Sequence, residues 1–472
     1  MITENKKNDN TKKISLFYAL LPVLFLVASL YYSVQIAELD VHIPILVSAL
    51  FAALVAKLVG CATWEEMEEG VVKTIKMSMR AILILMIIGT VIGSWIISGI
   101  VPTMIFYGLK IIEPSVFLPV TVIICSIVSI STGSSWSTAS TVGIALIGVG
   151  EGLGLPRPLI AGAIISGAYF GDKLSPMSDT TILAPAMAGA TLFEHIKHML
   201  YTTVPTYIIS LIVFFVLGLK EAAKGSLNIS QINSILDALS QNFVINPFLL
   251  LIPVFVIGMV VMRMPAIPGL FIGSLLGTAA AILVQKVPVK EAIYTLHYGY
   301  SGDTGLPIVD ELLNRGGLDA MMWTVSLILC AMVFGGIMEK SGILGRLAEE
   351  ILKFANTNGK LILSTLLSTT FVNFVAGDQY MSLVISGRMY REIYKERGLK
   401  AKNLSRALED SGTMTSPLVP WNTCGAFMMG ALGLTPWVYV PYCIFNLLSP
   451  IVSAIYGFTG FTIEKIENED NI

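Results

Sequence analysis

Long apolar runs with almost no charged side chains recur along the chain. Residues 15–34 carry no charge at all, and comparable runs occupy residues 43–60, 81–101, 199–219, 242–262, 264–285, 320–338, 361–376 and 436–458. A helix needs about 20 mostly apolar residues to cross the hydrocarbon core of a bilayer. The pattern therefore predicts an all-α polytopic membrane protein with about 10–12 transmembrane helices.

Two polar segments interrupt this pattern. Residues 129–141 are rich in serine and threonine inside an otherwise uncharged stretch, and residues 413–422 have a similar character. Irregular backbone at membrane depth is tolerated only where it is buried in protein or lines a water-filled cavity. We therefore expect each half of the chain to contain a re-entrant hairpin and a broken helix.

The two interruptions belong to a sequence repeat. Residues 133–143 align with residues 377–387, keeping both glycines and an aromatic residue at the fourth position. The Ser-Pro pair at Pro176 aligns with the one at Pro417. We predict that the helices break at Gly133, Pro176, Gly377 and Pro417, because proline interrupts a helix.

Charge predicts how the two copies are oriented. The second copy carries a run of basic residues between its motifs, whereas the matching part of the first copy has only Arg157 and Lys173. Basic loops stay on the cytoplasmic side, so one connection is expected inside and the other outside. This is the pattern of an inverted-topology repeat. The same rule predicts a cytoplasmic amino terminus.

These features divide the chain into six predicted parts. They are a cytoplasmic N-tail (1–14), N-terminal transmembrane helices (15–60), a first transporter repeat (79–220), a polar connector (221–245), a second repeat (246–458) and a polar C-tail (459–472).

Overall composition narrows the function classes. Of the 472 residues, 54% are hydrophobic and only 13% charged, and the net charge is −2. Soluble proteins carry roughly a quarter of charged residues, so this chain is expected to contact membrane lipid and no nucleic acid. Its five cysteines lack metal-ligand spacing and are expected to be reduced thiols in the core.

The few acidic residues near the breaks are candidate ion and proton ligands. An ionisable group at membrane depth is costly, which favours a role in an ion or proton path. Our first choices are Asp172 and Asp378, followed by Asp179 and Asp410. The alternative is that some of these side chains cap helices.

Oxygen-bearing side chains near these acids could complete a sodium site, because sodium takes hard oxygen ligands. One predicted cluster comprises Thr132, Ser134, Ser135, Ser175, Thr180 and Thr181, and its counterpart comprises Asn373, Thr413, Thr415, Ser416, Asn422 and Thr423. Trp136 and Trp421 are candidate cavity walls, although tryptophan is also common at membrane interfaces.

Missing motifs argue against other mechanisms. There is no phosphate-binding loop for ATP-driven pumping and no hydrolase or metalloprotease motif, so enzymatic activity is not expected. An intramembrane aspartyl enzyme or a channel stays open as an alternative. Broken helices in both halves favour a carrier that works by alternating access.

Several strings resemble the NhaC-type sodium/proton antiporter family. They are GSSWSTASTVG, FGDKLSPMSDTTILAPAMAG, FEHIKHMLYTTVPTY, YSGDTGLPIVDELLNRGG and SLILCAMVFGGIMEKSGIL. The resemblance implies a secondary transporter of the bacterial inner membrane with inverted repeats and an elevator-like movement. It implies no cofactor apart from the transported sodium ion, and it leaves a homodimer open.

We therefore predict exchange of sodium for protons, in which both ions compete for the same carboxylates. The family also includes members similar to malate/lactate sodium antiporters. The second reading is accordingly sodium- and proton-coupled exchange of small carboxylates such as malate and lactate, with half-helix amino ends holding the substrate carboxylate.

Overall fold

Helices account for the regular structure of the chain. The computed structural model describes residues 14–111, 113–223, 229–262 and 264–466, and within these ranges the only β-type pairing is one isolated bridge between Leu399 and Lys465. Seven helices there are long and apolar enough to cross a membrane, or up to nine if each of two sharply bent helix pairs is one span. The predicted all-α polytopic membrane fold is confirmed.

Some predicted parts lie partly outside the described residues. This applies to the N-tail before Ile14, to residues 224–228 of the polar connector and to the C-tail beyond residue 466. The described remainder of the connector includes the end of one helix, at residues 221–223, and a second helix, Ile229–Asn242.

The N-terminal region is a helical hairpin. Its helices are α1 (Leu16–Tyr31), extended by a π-helical turn (Tyr32–Ile36), and α2 (His42–Val59). Phe25 stacks on Phe51 with ring centroids 4.4 Å apart. This hairpin packs on the rest of the chain through both helices, α2 against the helix Met322–Lys340 and α1 against the helix Ile343–Leu352.

The first half contains one very long helix and several short ones. Its helices are α3 (Trp64–Ile97), α4 (Ile100–Ile111), α5 (Pro114–Thr132), α6 (Ser135–Thr138), α7 (Ile144–Gly152), α8 (Arg157–Leu174), α9 (Asp179–Ala188) and α10 (Leu192–Ala223). A π-helical turn (Ala139–Gly143) joins α6 to α7, so the chain is helical from residue 135 to residue 152.

The connector and second half follow a comparable sequence of long and broken helices. They are α11 (Ile229–Asn242), α12 (Leu251–Val261), α13 (Ala266–Leu283), α14 (Val289–Tyr298), α15 (Pro307–Leu313), α16 (Met322–Lys340), α17 (Ile343–Leu352), α18 (Asn358–Ala376), α19 (Gln379–Glu396), α20 (Ala401–Leu408), α21 (Thr423–Leu432), α22 (Pro436–Tyr439) and α23 (Ile444–Thr459). Shorter turns are 3-10 helical (Pro247–Leu250, Asp319–Met321, Ser416–Leu418, Val440–Tyr442) or π-helical (Glu409–Thr413).

A glycine ends the helix at the tip of each hairpin. Gly133 follows α5 with a φ of 67°, and Gly377 follows α18 with a φ of 68°. This left-handed conformation costs glycine little, because it has no Cβ. The next residue is extended and caps the following helix with its side chain: Ser134 accepts from the Ser137 N–H, and Asp378 accepts from the Met381 N–H.

The short helices α9 and α21 extend this correspondence and correct its register. Both are ten residues long and end at glycines in the left-handed conformation, Gly189 and Gly433. These two glycines are separated by as many residues as Gly133 and Gly377. The same spacing places Pro176 opposite Pro420 and not opposite Pro417, because the matching helix ends, rather than the Ser-Pro pairs, define equivalent positions.

Helix α5 begins at the far end of α10. Gly218, close to the end of α10, lies against the backbone carbonyl of Ser115. Farther along the pair, the Tyr207 hydroxyl donates to the Ser126 hydroxyl at 3.0 Å. The two helices are therefore antiparallel, and α5 approaches its break from the side where α10 ends.

Helix α18 approaches its break from the other side. It begins beside the end of α23, where Gly359 lies against Phe458. The segment after α23 contacts the start of α10, with His198 Nδ1 3.8 Å from a carboxylate oxygen of Glu464. The two hairpins thus enter from opposite ends of α10. These contacts support an inverted arrangement, and the inverted repeat itself stays a prediction.

Two Gly-x-x-x-Gly motifs, Gly89 to Gly93 on α3 and Gly273 to Gly277 on α13, contribute to packing at α3. The backbone N–H of Gly317 donates to the carbonyl of Gly89 at 2.7 Å. On α13, the carbonyl of Gly273 accepts from the indole N–H of Trp95 at 3.0 Å, and Gly277 lies against Ser94. Small residues permit this close helix contact in membranes.

Replacing Gly89 with alanine tests this contact. A Cβ at residue 89 would lie 2.3 Å from the backbone oxygen of Gly317, whereas a Cβ at Gly258 would meet nothing within 4 Å. We expect Gly89→Ala to destabilise the detergent-solubilised protein by about 1–3 kcal/mol, as overpacking does. Thermal unfolding monitored by size-exclusion chromatography measures this. The control variant Gly258→Ala should match the wild type, and equal melting temperatures for both variants would contradict the contact.

Candidate ion-binding site

A cavity of about 750 Å³ lies where the two halves meet. Its walls come from α3, from the break after α5, from the end of α8 and the turn before α9, and from the break after α18. The lining residues are Met77, Ser78, Arg80, Ala81, Ile84, Thr132, Gly133, Ser134, Ser135, Trp136, Ser137, Asp172, Pro176, Met177, Ser178, Asp179, Thr180, Met264, Pro265, Asp378, Gln379 and Tyr380. Both predicted hairpin tips therefore border one space.

Asp172 lies in the last turn of α8 and faces this cavity. The backbone N–H of Ser135 donates to its Oδ2 at 3.1 Å and the Ser135 hydroxyl donates to the same oxygen at 2.6 Å. The side chain is only 8% exposed. The hairpin tip thus holds a buried carboxyl in a fixed position at the cavity wall.

Asp378 both caps a helix and lines the cavity. Its Oδ1 accepts from the backbone N–H of Met381 at 3.0 Å, and its Oδ2 accepts from the Thr423 hydroxyl at 3.1 Å. The capping alternative considered for the acidic residues therefore applies here. Because both oxygens already have partners in the protein, Asp378 is less free than Asp172 to bind an ion.

Asp179 lies at the mouth of the cavity. Its Oδ2 is 3.0 Å from Arg80 Nη1, and the two side chains are 50% and 60% exposed. A solvent-exposed ion pair adds little to stability. Charged side chains this exposed need water around them, so the pair marks the side from which water enters the cavity.

Asp410 does not line the cavity, contrary to what its position near the second polar segment suggested. It forms an ion pair with Lys173, and both side chains are completely buried. Thr202 Oγ1 also donates to Asp410 Oδ1 at 3.2 Å. The π-helical turn Glu409–Thr413 directs the carboxylate toward α8 and α10, so Asp410 joins the two halves of the molecule.

Only part of the first predicted oxygen cluster lines the cavity. Thr132, Ser134, Ser135 and Thr180 line the cavity. Ser175 and Thr181 do not, because their hydroxyls donate to backbone carbonyls freed at helix ends. Ser175 Oγ lies 2.8 Å from the carbonyl oxygen of Ile130, and Thr181 Oγ1 lies 3.2 Å from that of Asp172.

The second predicted cluster lies behind the cavity. Asn373 donates to the Gly412 carbonyl and to the Thr415 hydroxyl, at 2.6 and 3.0 Å. Asn422 donates to the Asn373 side-chain oxygen at 3.2 Å. None of the following lines the cavity, although Thr423 contacts Asp378 and Ser416 donates to the cavity residue Gln379: Asn373, Thr413, Thr415, Ser416, Asn422 and Thr423.

The breaks and the tryptophans show the same asymmetry between the halves. Gly133, Pro176 and Trp136 border the cavity, whereas Gly377, Pro417 and Trp421 do not. Trp136 stacks on Phe427, with ring centroids 4.1 Å apart. Trp421 is buried and donates its indole N–H to the Phe374 carbonyl at 2.7 Å.

Other residues of the site were not selected from the sequence. Arg80, Ser178, Gln379 and Tyr380 line the cavity, and Glu409 contacts it through Thr180. Ser178 and Gln379 are close in sequence to selected residues and could have been found by extending the motifs. Arg80 lies on a distant helix, so only the fold reveals its position.

Metal-binding clusters are not part of this site. Within the described ranges, no group of three histidine, cysteine, aspartate or glutamate side chains is placed to hold a metal ion. All five cysteines are free, and four of them are buried. The cavity instead offers the carboxyls of Asp172, Asp179 and Asp378 and several hydroxyls, which are oxygen ligands of the kind an alkali ion takes.

Comparison with known proteins identifies the family. Residues 167–461 match the model of the Na+/H+ antiporter family. The chain belongs to this family. The match includes Asp172, the turn before α9 and both breaks of the second half.

Similar antiporters differ in the cargo given by their names. The Na+/H+ antiporter NhaC of Alkalihalophilus pseudofirmus is 37% identical over 461 residues, which is 98% of this chain and 99% of that protein. The malate-2H+/Na+-lactate antiporter of Bacillus subtilis is 38% identical over 91% of this chain and 92% of its own. The arginine/ornithine antiporter ArcD of Halobacterium salinarum is 36% identical over 98% and 96%.

The buried Lys173–Asp410 pair yields a stability prediction. Removing one partner leaves an uncompensated buried charge, which costs about 3–5 kcal/mol, whereas apolar replacement of both partners is often tolerated. We expect Asp410→Leu to lower the unfolding temperature in detergent strongly. The double variant Lys173→Met/Asp410→Leu should recover much of the loss. A double variant no more stable than the single one would contradict this account.

Proposed function

We propose that this protein exchanges sodium for protons across the bacterial inner membrane by alternating access. Membership of the Na+/H+ antiporter family supports this proposal. The observation that carries it is Asp172, a buried carboxyl at a cavity between the breaks of both halves. An ionisable group at this depth is expected to serve ion or proton movement.

Sodium and a proton compete for Asp172 in this mechanism. The ionised carboxylate provides a hard, negatively charged ligand, and the cavity hydroxyls of Thr132, Ser134 and Ser135 provide further oxygens. Protonation removes the charge that holds sodium. Binding of one ion therefore releases the other, which makes a proton gradient a driving force for sodium movement. No cofactor is needed beyond the transported ions.

The cavity corresponds to one state of the transport cycle. Its mouth lies beside the exposed Arg80 and Asp179 pair, where the charged first half of α3 ends. The positive-inside rule assigns this basic segment to the cytoplasm. The structure is therefore the inward-open state of our proposed cycle, with the amino terminus in the cytoplasm. An elevator-like movement of the inverted repeats would expose the same site outside.

A second candidate function is coupled exchange of a small carboxylate such as malate or lactate. The size of the cavity favours it, because about 750 Å³ is far more space than one sodium ion needs. Pockets of roughly 300–1,000 Å³ accommodate small organic ligands. The amino ends of α9 and α19 border the cavity at Ser178 and Asp378, and helix amino ends favour anions.

One reconstitution distinguishes the two functions. Purified protein in liposomes with an internal pH dye is challenged with sodium alone, and then with sodium plus malate or lactate. Proton flux with sodium alone supports sodium/proton exchange. Flux only in the presence of the organic acid would overturn it in favour of coupled carboxylate exchange.

Asp172→Asn tests the proposed ion ligand in the same assay. We expect at least roughly a hundredfold loss of sodium-dependent proton flux, because the amide neither binds a proton nor carries a charge. Asp319→Asn is the matched control, since Asp319 is exposed and remote from the cavity lining. Both variants should insert into the membrane normally. Wild-type flux in Asp172→Asn would remove this residue from the mechanism.

A further inference from the structure

Arg80 is the one cationic side chain among the described residues that line the cavity, and the exchange mechanism above does not use it. It lies on α3, and its Nη1 is 3.0 Å from Oδ2 of Asp179. Both side chains are at least half exposed. Because so exposed an ion pair adds only about 0–1 kcal/mol to stability, any larger effect of Arg80 must come from its charge at the mouth.

The Arg80–Asp179 pair spans the mouth between two parts of the molecule. Asp179 begins α9 and lies in the chain between the cavity residues Ser178 and Thr180. Helix α9 packs on α10, α19 and α20, whereas α3 packs on α13, α14 and α16. Arg80 therefore reaches from α3 to the segment that carries cavity hydroxyls, and an ion that enters by this mouth passes beside the pair.

The carboxyls of the cavity differ in their exposure to water. Asp172 and Asp378 are buried in its wall, with exposed fractions of 8% and 2%, whereas Asp179 is half exposed at the mouth. The charge of Asp179 acts on Asp172. Without Arg80, the mouth would present a carboxylate with no cationic partner. With Arg80, the two charges at the mouth cancel, whether or not the two buried acids carry protons.

A carboxylate without a partner at the mouth would favour divalent over monovalent cations. In a given electrostatic potential, an ion of charge +2 gains twice the energy of an ion of charge +1. Any factor by which the mouth concentrates sodium is therefore squared for magnesium. Magnesium usually keeps several of its waters in proteins. It can therefore gather at the mouth although no group of three acidic, histidine or cysteine side chains in the described ranges is placed to hold a metal ion.

We propose that Arg80 is a specificity-determining residue, which keeps divalent cations out of the cavity by neutralising Asp179. The inference deepens the sodium/proton exchange proposed above and rests on it for the identity of the transported ion. Arg80 does not bind sodium. It acts on entering ions through its own positive charge and by occupying the Asp179 carboxylate. Sodium is still attracted past the mouth by the Asp172 carboxylate and the cavity hydroxyls.

Magnesium inhibition of sodium-dependent proton flux in liposomes tests the specificity. With magnesium chloride on both sides, Arg80→Gln should lower the inhibitory magnesium concentration about tenfold and the KM for sodium about threefold. Asp179→Asn should shift both values in the opposite direction, and the double variant Arg80→Gln/Asp179→Asn should return them close to the wild type. Arg80→Lys keeps the charge and should behave like the wild type. All shifts should shrink at high ionic strength, because salt screens exposed charges.

A cysteine at the cavity measures the same charge without transport. Met177 lines the cavity and is partly exposed, so Met177→Cys places a thiol there once the partly exposed Cys61 is replaced by serine. The purified protein is treated with a cationic trimethylammonium and an anionic sulfonate methanethiosulfonate. The ratio of the two rates reports the charge, since the thiolate fraction affects both rates equally.

The expected ratios follow from the charges at the mouth. Arg80→Gln should raise the ratio of cationic to anionic rates about tenfold, because the two reagents respond in opposite directions. Asp179→Asn should lower it. Lys290→Gln is the matched control, since Lys290 is exposed on α14 and is not part of the cavity lining. This control should leave both the ratio and magnesium inhibition unchanged.

The two readouts separate this inference from the proposed function. An unchanged thiol ratio in Arg80→Gln would overturn the inference, whatever the protein transports. A raised ratio in a protein without sodium-driven proton flux would support the inferred charge at the mouth and overturn sodium/proton exchange. Wild-type magnesium inhibition in an active Arg80→Gln variant would overturn the role in specificity. Damage to the fold would shift both single variants in the same direction and would not cancel in the double variant, which would also contradict the inference.

Discussion

The architecture depends on one constraint, which is that backbone polar groups freed at a helix break inside a membrane must find partners within the protein. Ser134, Ser178, Asp378 and Asn422 provide them by capping four helices with their side chains. Three of these caps also line the cavity. The polar side chains that make broken helices possible therefore also create a polar space at membrane depth.

Of the four aspartates selected as candidate ion ligands, three are occupied by partners within the protein. The fourth, Asp172, faces the cavity. Asp410 is bound to Lys173, Asp378 is occupied as a helix cap, and Asp179 pairs with Arg80 at the mouth. Asp172 is held by Ser135 at a single oxygen, Oδ2. This difference in partners, more than burial, makes Asp172 our choice for the ion ligand.

Sequence patterns predicted the helix breaks better than the side-chain directions. Glycines flanked by hydroxyl side chains inside an uncharged run are typical of a broken helix, so Gly133 and Gly377 could be recognised as hairpin tips. The orientation of Asp410 could not be predicted, because it depends on a π-helical turn that rotates the carboxylate toward Lys173. Arg80 was missed because α3 meets the hairpin only through the fold. The resemblance to a known family supplied the sodium and proton chemistry, since no pattern of residues specifies the cargo.

Competition between sodium and a proton at Asp172 is the central claim. The most direct measurement is the proton release when sodium is added to the purified protein in weakly buffered detergent solution near neutral pH. The account predicts a saturable acidification that disappears in Asp172→Asn and persists in Asp319→Asn. Sodium binding to the wild-type protein without any proton release across the titratable range would contradict it.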